Sequence, residues 1–496
     1  MPDFIHHNFK DRSIIFKKSN ESQIILDKDL ENEIIEDLKS LPELPFYIID
    51  NKSTFNVRNS YLKNSLIENY LIENKLKAYD IYEYEGRKYI HKNELIIETS
   101  TNITLEDLQN KLGLLYTVEQ VLNKPIFCIH SEFSSIDDLI EMVESWNFII
   151  KLEPNWCSTS KYYRNKISAR LSNYVEQYPL PLNKIYEKLG FNYFNENLKL
   201  NHPISICIMD NGVYKYHKDL EAVIDDTNSK SFISGELYQT PNIKEYHGTW
   251  CAGILSANSV NNMGHKGVGI GTKLVSYRIV AGSDKHNIQL SNFDLINAFY
   301  SAAYQSNCDV INCSWTLDYE SDILYDALSN VSEKGRNGLG LPIIFSAGNY
   351  DKEIKFPANH PNVITISAVD KLNIPLNFSF GSNVSIAAPG INVITTDIPD
   401  GAGEHYIPIR GINDKYKNYT YFNGTSAAAP IVSGCIARLL KHNNTLSLKR
   451  IKDILKDKKS LDDFNPEFIN TSNEHYGAGI LNLKKITKNF LENYEV

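Results

Sequence analysis

The segment ISICIMDNG, residues 204–212, decides the fold that we predict for this chain. Its apolar and β-branched residues follow one another with hardly a polar break, which is typical of a strand buried on both faces of a parallel sheet. Asp210 ends this strand, and Asn211 and Gly212 turn the chain. The segment therefore predicts an α/β domain with an acidic side chain at the carboxyl end of a buried strand.

Four later segments share this apolar character, and helical patterns separate them. The predicted strands are KLVSYRIV (273–280), DVINCSW (309–315), LPIIFSAG (341–348) and VITISAV (363–369). The predicted helices are HGTWCAGILSA (247–257), NFDLINAFYSAAYQ (292–305), YDALSNVSEKG (325–335) and TSAAAPIVSGCIARLLK (425–441). This alternation predicts a doubly wound, mostly parallel sheet within residues 203–496, with the active site at the carboxyl ends of the strands.

The composition excludes several classes of protein. The chain has 496 residues, 42% of them hydrophobic, and a net charge of −9, which fits a globular protein of several domains and argues against a disordered chain or a general nucleic-acid binder. No apolar run approaches the roughly 18 residues that a membrane-spanning helix needs. The seven cysteines include no Cys-x-x-Cys pair, which argues against a disulfide scaffold and a cysteine-based zinc site.

The amino-terminal sequence MPDFIHHNFKDRS lacks the basic stretch and apolar stretch of a secretion signal. We therefore expect a cytoplasmic protein with reduced thiols. A secreted protein whose signal had been removed would look the same.

Upstream of residue 203 the sequence pattern changes twice. Residues 1–78 predict a small α+β domain, with amphipathic helices at 26–41 and 61–76 and a strand at 46–50. Residues 79–156 predict a ferredoxin-like α+β module of the β-α-β-α-β type. Its features are a hairpin turning at Glu85 and Gly86, a helix capped by Thr104, a further strand near 114–121 and a last strand at 148–156. The Lys- and Tyr-rich residues 157–202 predict an exposed connector.

Three residues of the α/β part are of the types that a nucleophilic relay needs. They are Asp210, His247 in YHGTWCAG and Ser426 in FNGTSAAAP. In such a relay the serine attacks a carbonyl, the histidine takes and returns its proton, and the aspartate orients the imidazole. Taken singly, each is also an ordinary turn or helix-cap residue. Their joint occurrence in this order and on this fold predicts catalysis.

These stretches resemble the subtilisin-like serine peptidases. DNG at 210–212, HGT at 247–249 and NGTSAAAP at 423–430 are similar to that family's three motifs and follow the same chain order. HKDL at 217–220 is similar to the family's His-Pro-Asp-Leu, with Lys218 in place of proline. The resemblance covers roughly residues 203–485 and closes with YGAGILNL at 476–483. It implies a subtilisin-like fold and a serine endopeptidase with Asp210, His247 and Ser426 as catalytic residues.

The resemblance also implies the surroundings of the nucleophile. Asn349 in FSAGN is expected to donate its side-chain NH₂ to the oxyanion. Two facing segments are expected to form the opposing walls of the primary specificity pocket and to bind the peptide as an added β-strand. Their residues are Ser314, Trp315 and Thr316 on one side and Ser346, Ala347 and Gly348 on the other. Asp318 and Glu320 would select a basic P1 residue if they face this pocket, and are otherwise solvated loop charges.

No cofactor is expected. Family members often bind Ca²⁺ in loops, but no acidic loop of this sequence has a recognisable ligand spacing, so we predict no metal site. Cys251 lies four residues after His247 on the same predicted helix. Its thiol is expected either beneath the imidazole or simply packed in the core.

Residues 79–156 look like the propeptide of the same family, because they end in Glu153, Pro154, Asn155 and the aromatic Trp156. The resemblance implies a module that assists folding, which is slow for parallel sheets, and then inhibits through its last strand. The connector 157–202 is then the expected region of self-cleavage.

The sequence thus predicts a serine endopeptidase zymogen that acts on a peptide or protein substrate. Three alternatives stay open: an intracellular effector held inactive until a protein partner binds residues 1–78, a peptidase dedicated to one precursor, and a catalytically inactive binding protein with the same fold. Intact catalytic residues argue against the last alternative. No nucleic-acid or membrane partner is expected.

Overall fold

The computed structural model describes residues 4–9, 12–25, 47–49, 54–58, 78–84, 87–131, 136–158, 188–233, 241, 245–258, 266–280, 290–317, 319–374, 378–399, 418–463 and 473–495. The chain divides into two compact units. Unit 1 comprises Met1–Tyr162, Gly282–Asn297 and Ser321–Leu324, and unit 2 comprises Tyr163–Ala281, Ala298–Glu320 and Tyr325–Val496. Among the described residues, no helix combines the length and apolar character needed to cross a membrane.

The strands are numbered in chain order through both units. They are β1 (Phe4–Phe9), β2 (Arg12–Ile25), β3 (Tyr47–Ile49), β4 (Thr54–Arg58), β5 (Ala78–Tyr84), β6 (Arg87–Thr99), β7 (Tyr116–Gln120), β8 (Ile126–Ser131), β9 (Ile149–Ser158), β10 (Ser205–Asp210), β11 (Lys230–Ser231), β12 (Lys273–Arg278), β13 (Leu290–Ser291), β14 (Val310–Cys313), β15 (Ile343–Ser346), β16 (Ile364–Val369), β17 (Val384–Pro389), β18 (Val393–Thr396), β19 (Tyr419–Phe422), β20 (Leu461–Asp462) and β21 (Ile480–Leu481).

The α-helices are numbered in the same way. They are α1 (Leu105–Leu112), α2 (Ile136–Glu144), α3 (Phe191–Asn197), α4 (His247–Ser256), α5 (Asn292–Tyr304), α6 (Asp322–Lys334), α7 (Thr425–His442), α8 (Leu448–Lys456) and α9 (Leu483–Asn493). Short 3₁₀ turns lie at Arg336–Gly338, Lys458–Ser460 and Asn473–His475.

Unit 1 contains an antiparallel sheet of ten strands. The main path runs β13-β9-β6-β5-β2-β4-β3; in addition, β1 pairs with β2, β8 pairs with β6, and β7 pairs with β8. The predicted hairpin is present, since β5 and β6 pair up to Tyr84 and Arg87. The predicted strand at 46–50 is present as β3, and the further strand near 114–121 as β7. The two predicted helices at 26–41 and 61–76 lie outside the described residues.

The structure differs from the sequence prediction in the first 25 residues. β1 and β2 form a hairpin that we did not predict, because the middle of β2 is the polar run KKSNES rather than an alternating apolar pattern. The cap of α1 is as predicted. Thr104 Oγ1 accepts a hydrogen bond from Asp107 N at 3.1 Å, and Asp107 Oδ2 accepts one from Thr104 N at 2.8 Å. This reciprocal pair satisfies two backbone groups that the first turn would otherwise leave bare.

Strand β9 supplies hydrogen-bond acceptors to residues at the starts of two helices. Glu153 Oε1 accepts from Ser321 Oγ at 2.5 Å, just before α6, and from Asn292 Nδ2 at 3.4 Å, at the start of α5. Asn155 Oδ1 accepts from Phe293 N at 3.1 Å. Both β9 side chains are buried. A helix start carries bare N–H groups and partial positive charge, so these two side chains act as caps contributed from a strand distant in sequence.

Unit 2 contains a nine-stranded sheet in the order β11-β12-β10-β14-β15-β16-β17-β21-β20. Neighbouring strands are parallel from β11 to β21, and the edge pair β20–β21 is antiparallel. The five predicted strands are β10, β12, β14, β15 and β16, which confirms the predicted α/β class. Because β10 lies in the interior between β12 and β14, its carboxyl end is enclosed by the strands on both sides.

The central helix of unit 2 is α7, which packs on β14 to β17 and on α4. All of its residues are buried, and most of them are small or apolar, as expected of a helix enclosed by the rest of the unit. Small residues make this possible. A Cβ at Gly434 would lie 2.6 Å from Gly269 N, so only glycine permits this close approach of the backbones.

The end of the predicted connector is packed rather than exposed. Leu189, Phe191, Phe194 and Leu198 are buried in the core of unit 2. The guanidinium of Arg438 on α7 donates to Asn195 O at 3.2 Å and lies 5.7 Å from the ring centre of Phe194. The other end of α3 lies against α9, where a Cβ at Gly190 would meet Lys484 Cβ at 2.5 Å. Sequence reading missed this short helix because its Lys-, Asn- and Tyr-rich surroundings conceal four apolar anchors.

Candidate active site

Asp210 lies at the carboxyl end of β10, as the sequence predicted, and is fully buried. Its Oδ1 accepts a hydrogen bond from Asn211 N at 2.8 Å. Both carboxylate oxygens lie 2.9 Å from Nδ1 of His247. A buried carboxylate needs a partner of opposite charge or several donors, and here the imidazole is the chief one.

His247 is the first residue of α4, directly against the turn that follows β10. Gly248 N donates to Asn211 Oδ1 at 2.8 Å, which ties the helix start to that turn. A Cβ on residue 248 would lie 2.3 Å from Gly212 O. Glycine therefore lets the helix approach the turn closely enough for the imidazole to meet Asp210.

The electrostatics of the site shift the titration of this imidazole. Burial alone would lower the pKa of His247, because it penalises the charged ring. The charge of Asp210 and the neighbouring Cys251 outweigh burial, and the pKa lies well above its ordinary value of 6.5. The pair therefore stabilises an imidazolium, the species that forms when histidine takes a proton from a nucleophile.

Ser426 is the second residue of α7, immediately after a turn in which Gly424 has φ 112°. It is 7% exposed, so its hydroxyl is just reachable. Ser426 Oγ donates to Ser314 O at 3.2 Å, and Ser314 Oγ donates to Ser426 O at 3.2 Å. The nucleophile candidate is thus held at a helix start, where backbone N–H groups favour negative charge.

Asn349 lies beside this turn, and its orientation is fixed by Thr425. Asn349 Oδ1 accepts from Thr425 N at 2.9 Å and from Thr425 Oγ1 at 2.9 Å. A Cβ on Gly424 would lie 3.1 Å from Asn349 Nδ2, which shows how closely the amide adjoins the turn. With its oxygen engaged, the amide has its –NH₂ group to offer to a ligand beside Ser426.

The two segments predicted to bind substrate both adjoin the start of α7. Ser314 is bonded to Ser426 as described, and Gly348 N donates to Thr425 Oγ1 at 3.1 Å. Ser346 and Ala347 are buried at the end of β15, and Thr316 is partly exposed. These backbones therefore converge on the nucleophile candidate from two neighbouring strand ends.

Trp315 is placed differently from the prediction. Its indole is buried, donates Nε1–H to Met209 O at 2.9 Å and packs against Phe345, so its side chain belongs to the core rather than to a pocket wall. Glu320 accepts from Asn359 Nδ2 at 3.4 Å. Asp318 lies outside the described residues, so the acidic-pocket hypothesis stays a prediction.

Cys251 lies beneath the imidazole and is buried. Its Sγ is 4.0 Å from His247 Nδ1, 3.9 Å from Asp210 Oδ2 and 3.7 Å from Ser426 O. Among the described residues, Asp210, His247 and Cys251 form the cluster whose ligand atoms could hold a metal ion, since they lie within 4.8 Å of one another. The Asp210 and His247 atoms already bond to each other, so occupancy by a metal would break that pair.

Comparison with known proteins gives a consistent result. The model of the subtilase family matches residues 201–479. A calcium-dependent protease of Nostoc sp. is 30% identical over 311 residues, which is 56% of this chain and 45% of that protein, so the match spans about half the length of this relative.

Two solved structures share the fold at 20% sequence identity. Fervidolysin from Fervidobacterium pennivorans matches with a TM-score of 0.64 over 82% of this chain and 62% of that one. A mutant of the epidermin leader peptide processing serine protease of Staphylococcus aureus matches with a TM-score of 0.59 over 80% of this chain and 99% of that one.

Proposed function

This chain belongs to the subtilase family, and from that premise we propose that it is a serine endopeptidase made as a zymogen. The observation that carries the proposal is the buried Asp210 carboxylate at 2.9 Å from His247 Nδ1, next to a serine at a helix start. Such a pair orients an imidazole for proton transfer, and the helix start stabilises an oxyanion.

In the proposed reaction, Ser426 Oγ attacks the substrate carbonyl while His247 takes the hydroxyl proton on Nε2. Asp210 keeps the other ring nitrogen protonated and stabilises the imidazolium. His247 then returns the proton to the leaving amine, and water resolves the acyl-enzyme in the same way. The support for this sequence is the oriented imidazole and the serine hydroxyl at the start of α7.

The oxyanion of the tetrahedral intermediate would be bound by two donors. One is the side-chain NH₂ of Asn349, whose oxygen Thr425 holds away from the reacting centre. The other is the backbone N–H of Ser426 at the start of α7. Donors fixed before reaction stabilise the transition state without a cost of reorganisation.

The proposed substrate is an extended peptide. It would pair with the backbones of Ser314–Thr316 and Ser346–Gly348, which both adjoin the start of α7. Binding through main-chain hydrogen bonds gives affinity for peptides in general, while side-chain pockets give selectivity. We propose no cofactor for this reaction.

A covalent probe tests the proposed nucleophile. We expect a fluorophosphonate to label the wild-type protein at Ser426, and Ser426→Ala to lose labelling and on the order of 10⁶-fold in peptide hydrolysis. Ser433→Ala is the matched control, since Ser433 is the next serine along α7 and its hydroxyl bonds to Asn312 Oδ1 at 2.8 Å and to Ala429 O at 3.1 Å. Full activity in Ser426→Ala, or labelling of another residue, would contradict the proposal.

The zymogen part of the proposal is supported by β9. Glu153 and Asn155 accept hydrogen bonds at the starts of α6 and α5, so this strand helps to fix the first turns of two helices. We propose that residues 79–156 act in this way and that self-cleavage follows within 157–202. Because residues 188–200 include the buried helix α3, we expect the cut before Lys188.

Intact-mass measurement after incubation distinguishes the zymogen from its alternatives. Wild-type protein cut between residues 158 and 188, with Ser426→Ala uncut, supports self-maturation. A stable full-length chain that does not react with the probe until a protein partner is added supports an effector latched through residues 1–78. A chain that never reacts supports the inactive binding protein.

Dedicated processing of one precursor is the second candidate activity. The Staphylococcus aureus relative is named for processing a leader peptide, and it shares the fold over 99% of its chain, although at 20% identity this likeness shows the fold alone. Profiling against a peptide library tests the candidate. Cleavage of one narrow sequence supports it, and broad cleavage supports general proteolysis.

The proposed compartment is the cytoplasm. Its support is that none of the six cysteines whose side chains are described forms a disulfide and that all six are buried, as expected for a protein kept in a reducing environment. Fractionation of producing cells tests this, and recovery of the chain from the medium would contradict it.

A further inference from the structure

One aromatic side chain lies directly against the imidazole of the proposed catalytic histidine. The ring of Phe422 is 5.3 Å from the ring of His247, centre to centre, with the two planes at 88°. Phe422 is 5% exposed, so this contact is part of the interior. Perpendicular aromatic contacts at such distances are attractive and restrict rotation of both rings.

The two-stranded sheet that carries Phe422 is attached to the helix that carries His247. β18 and β19 form a two-stranded sheet in which Val393 pairs with Phe422. Thr395 Oγ1 donates to Trp250 O, and Thr396 Oγ1 donates to Thr249 O at 2.8 Å. These bonds use carbonyls within the first turn of α4, so β18 cannot shift relative to His247 without breaking them.

Trp250 adds a third attachment on the same side. Its Nε1–H donates to Asp397 Oδ1 at 2.7 Å, and its ring lies 5.2 Å from Phe422 and is stacked at 4.3 Å on Tyr246. A Cβ at Gly253 would lie 2.3 Å from Thr395 Oγ1, which shows that the strand and helix are in direct contact. The Phe422 ring is therefore held between Trp250 and His247.

Strand β19 leads directly from Phe422 to the nucleophile candidate. Only Asn423, Gly424 and Thr425 separate Phe422 from Ser426. Two hydrogen bonds fix this turn: Asn392 N donates to Asn423 Oδ1 at 2.7 Å, and Gly424 N donates to Gly390 O at 2.7 Å. A rigid segment thus carries both the ring that abuts His247 and the hydroxyl that His247 must deprotonate.

Asp210 by itself does not fix the imidazole fully. Its two oxygens are equally distant from Nδ1, at 2.9 Å, so the ring can tilt about that nitrogen while it keeps a hydrogen bond to either oxygen. Such a tilt would move Nε2 sideways, and proton transfer depends steeply on that position. Cys251 bounds the ring on the Asp210 side, where its Sγ is 4.0 Å from Nδ1.

We propose that Phe422 is a positioning residue, which holds the His247 ring in the orientation that presents Nε2 to Ser426. The contact of β18 with α4 fixes Phe422 relative to His247, and the turn at 423–425 joins Phe422 to Ser426. The proposal rests on the proposed peptidase function, because the orientation matters for a proton transfer between these two residues.

The decisive comparison is between Phe422→Leu and Phe422→Tyr in the full chain. Leucine keeps apolar volume but removes the ring, so kcat should fall roughly tenfold while KM stays within about twofold. Tyrosine keeps the ring and should retain most of the wild-type kcat. Tyr421→Leu is the matched control, because the neighbouring Tyr421 packs in the separate cluster with Ile394 and Tyr419. It should lower the melting temperature without changing kcat.

A second measurement does not need turnover. In the Ser426→Ala background, the low-field proton resonance of His247 Nδ1–H, identified by its loss in His247→Gln, should broaden on Phe422→Leu and stay sharp on Phe422→Tyr. Broadening would show that the Nδ1 proton exchanges faster with water, as expected when the ring is less firmly held in its hydrogen bond to Asp210.

The outcomes separate the two proposals. An unreactive wild-type chain overturns the peptidase function, and the resonance then still decides whether Phe422 restrains the ring. An active wild type with unchanged kcat and an unchanged resonance in Phe422→Leu overturns the positioning role alone. Equal losses of kcat in Phe422→Leu, Phe422→Tyr and Tyr421→Leu would show that Phe422 contributes only to packing and has no specific positioning role.

Discussion

Two buried carboxylates of this molecule, Asp210 and Glu153, are set beside helix starts and yet differ in chemistry. Asp210 meets the imidazole of His247, which can carry a positive charge. Glu153 meets a hydroxyl and an amide, from Ser321 and Asn292, and has the like charge of Asp322 nearby. Burial, partly offset by the Ser321 hydrogen bond and reinforced by Asp322, raises the pKa of Glu153 to about 7.

The difference shows what a partner's charge does for a buried acid. Where the partner can be charged, the pair stabilises an ion and suits proton transfer. Where the partners are neutral dipoles, the same burial favours the protonated acid, and the contact becomes sensitive to pH. Asp210 is therefore suited to a proton transfer, whereas Glu153 forms a contact whose strength depends on pH.

Removing the charge of the first carboxylate should have the largest effect. Asp210→Asn leaves the side-chain shape but no longer stabilises the imidazolium or the required tautomer, so kcat should fall by on the order of 10⁴. Steady-state hydrolysis of a peptide substrate measures it. A variant that retains a tenth of wild-type kcat would remove Asp210 from the proposed mechanism.

The proposed oxyanion donor, Asn349, has the next largest expected effect. Asn349→Ala should lower kcat by about 10²–10³ and leave KM nearly unchanged, because the lost hydrogen bond forms only in the transition state. The variant also loses the acceptor for Thr425, so its melting temperature is the control for a displaced turn. A rise in KM at constant kcat would instead assign Asn349 to substrate binding.

The second carboxylate should control stability rather than turnover. A group whose pKa is raised from 4.5 to about 7 in the folded protein contributes most below pH 4.5, and the contribution is lost as pH rises through 7. In the Ser426→Ala chain, chosen to avoid the proposed self-cleavage, this loss should amount to roughly 3 kcal/mol of unfolding free energy.

Glu153→Gln isolates that contribution, since the amide does not ionise over this range. The free energy of unfolding of unit 1, measured with denaturant between pH 4.5 and 8, should fall as pH rises when residue 153 is glutamate. It should change much less when residue 153 is glutamine. Glu141→Gln, at an exposed position of α2, is the matched control. Equal slopes in all three proteins would mean that another group governs the pH dependence.

The smallest predicted effect concerns the pH range of activity. Because His247 must be neutral to take the serine proton and its pKa is raised well above 6.5, the acid limb of kcat/KM should lie above pH 6.5. A pH profile from 5 to 10 measures this limb. A limb at or below pH 6.5 would show that Asp210 does not outweigh burial at this ring.

The sequence predicted unit 2 more fully than unit 1 for physical reasons. Buried parallel strands are continuous apolar runs, so β10, β12, β14, β15 and β16 were recognisable from composition alone. The roles of Asp210, His247 and Ser426 were predicted from motifs, and the structure brings Asp210 and His247 together. β2 was missed because a polar run interrupts it, and α3 because four apolar anchors lie among polar residues.

Contacts between residues distant in the chain were the least predictable. The residues Glu153-Pro154-Asn155 were recognised by their resemblance to the end of a subtilisin-type propeptide. The helix starts that they cap lie more than a hundred residues further along the chain. Trp315 was expected in a pocket wall, yet its indole donates to Met209 O inside the core. The contact of Phe422 with His247 had one weak signal, an aromatic residue directly before Asn-Gly-Thr-Ser.

The packing of α3 against α9 brings the first and last described helices of unit 2 side by side, with Lys484 and Lys488 each 5.7 Å from the ring of Tyr193. Adjacent ends are what circular permutation requires. Because Gly190 meets the first turn of α9 and residue 495 follows its last turn, a permuted chain that joins residue 495 to residue 188 needs a Gly/Ser linker that runs back along this helix. Such a chain, opened elsewhere, should retain its core. A version that begins at residue 203 would instead leave a groove on α7 and α9 where Phe191 and Phe194 had been.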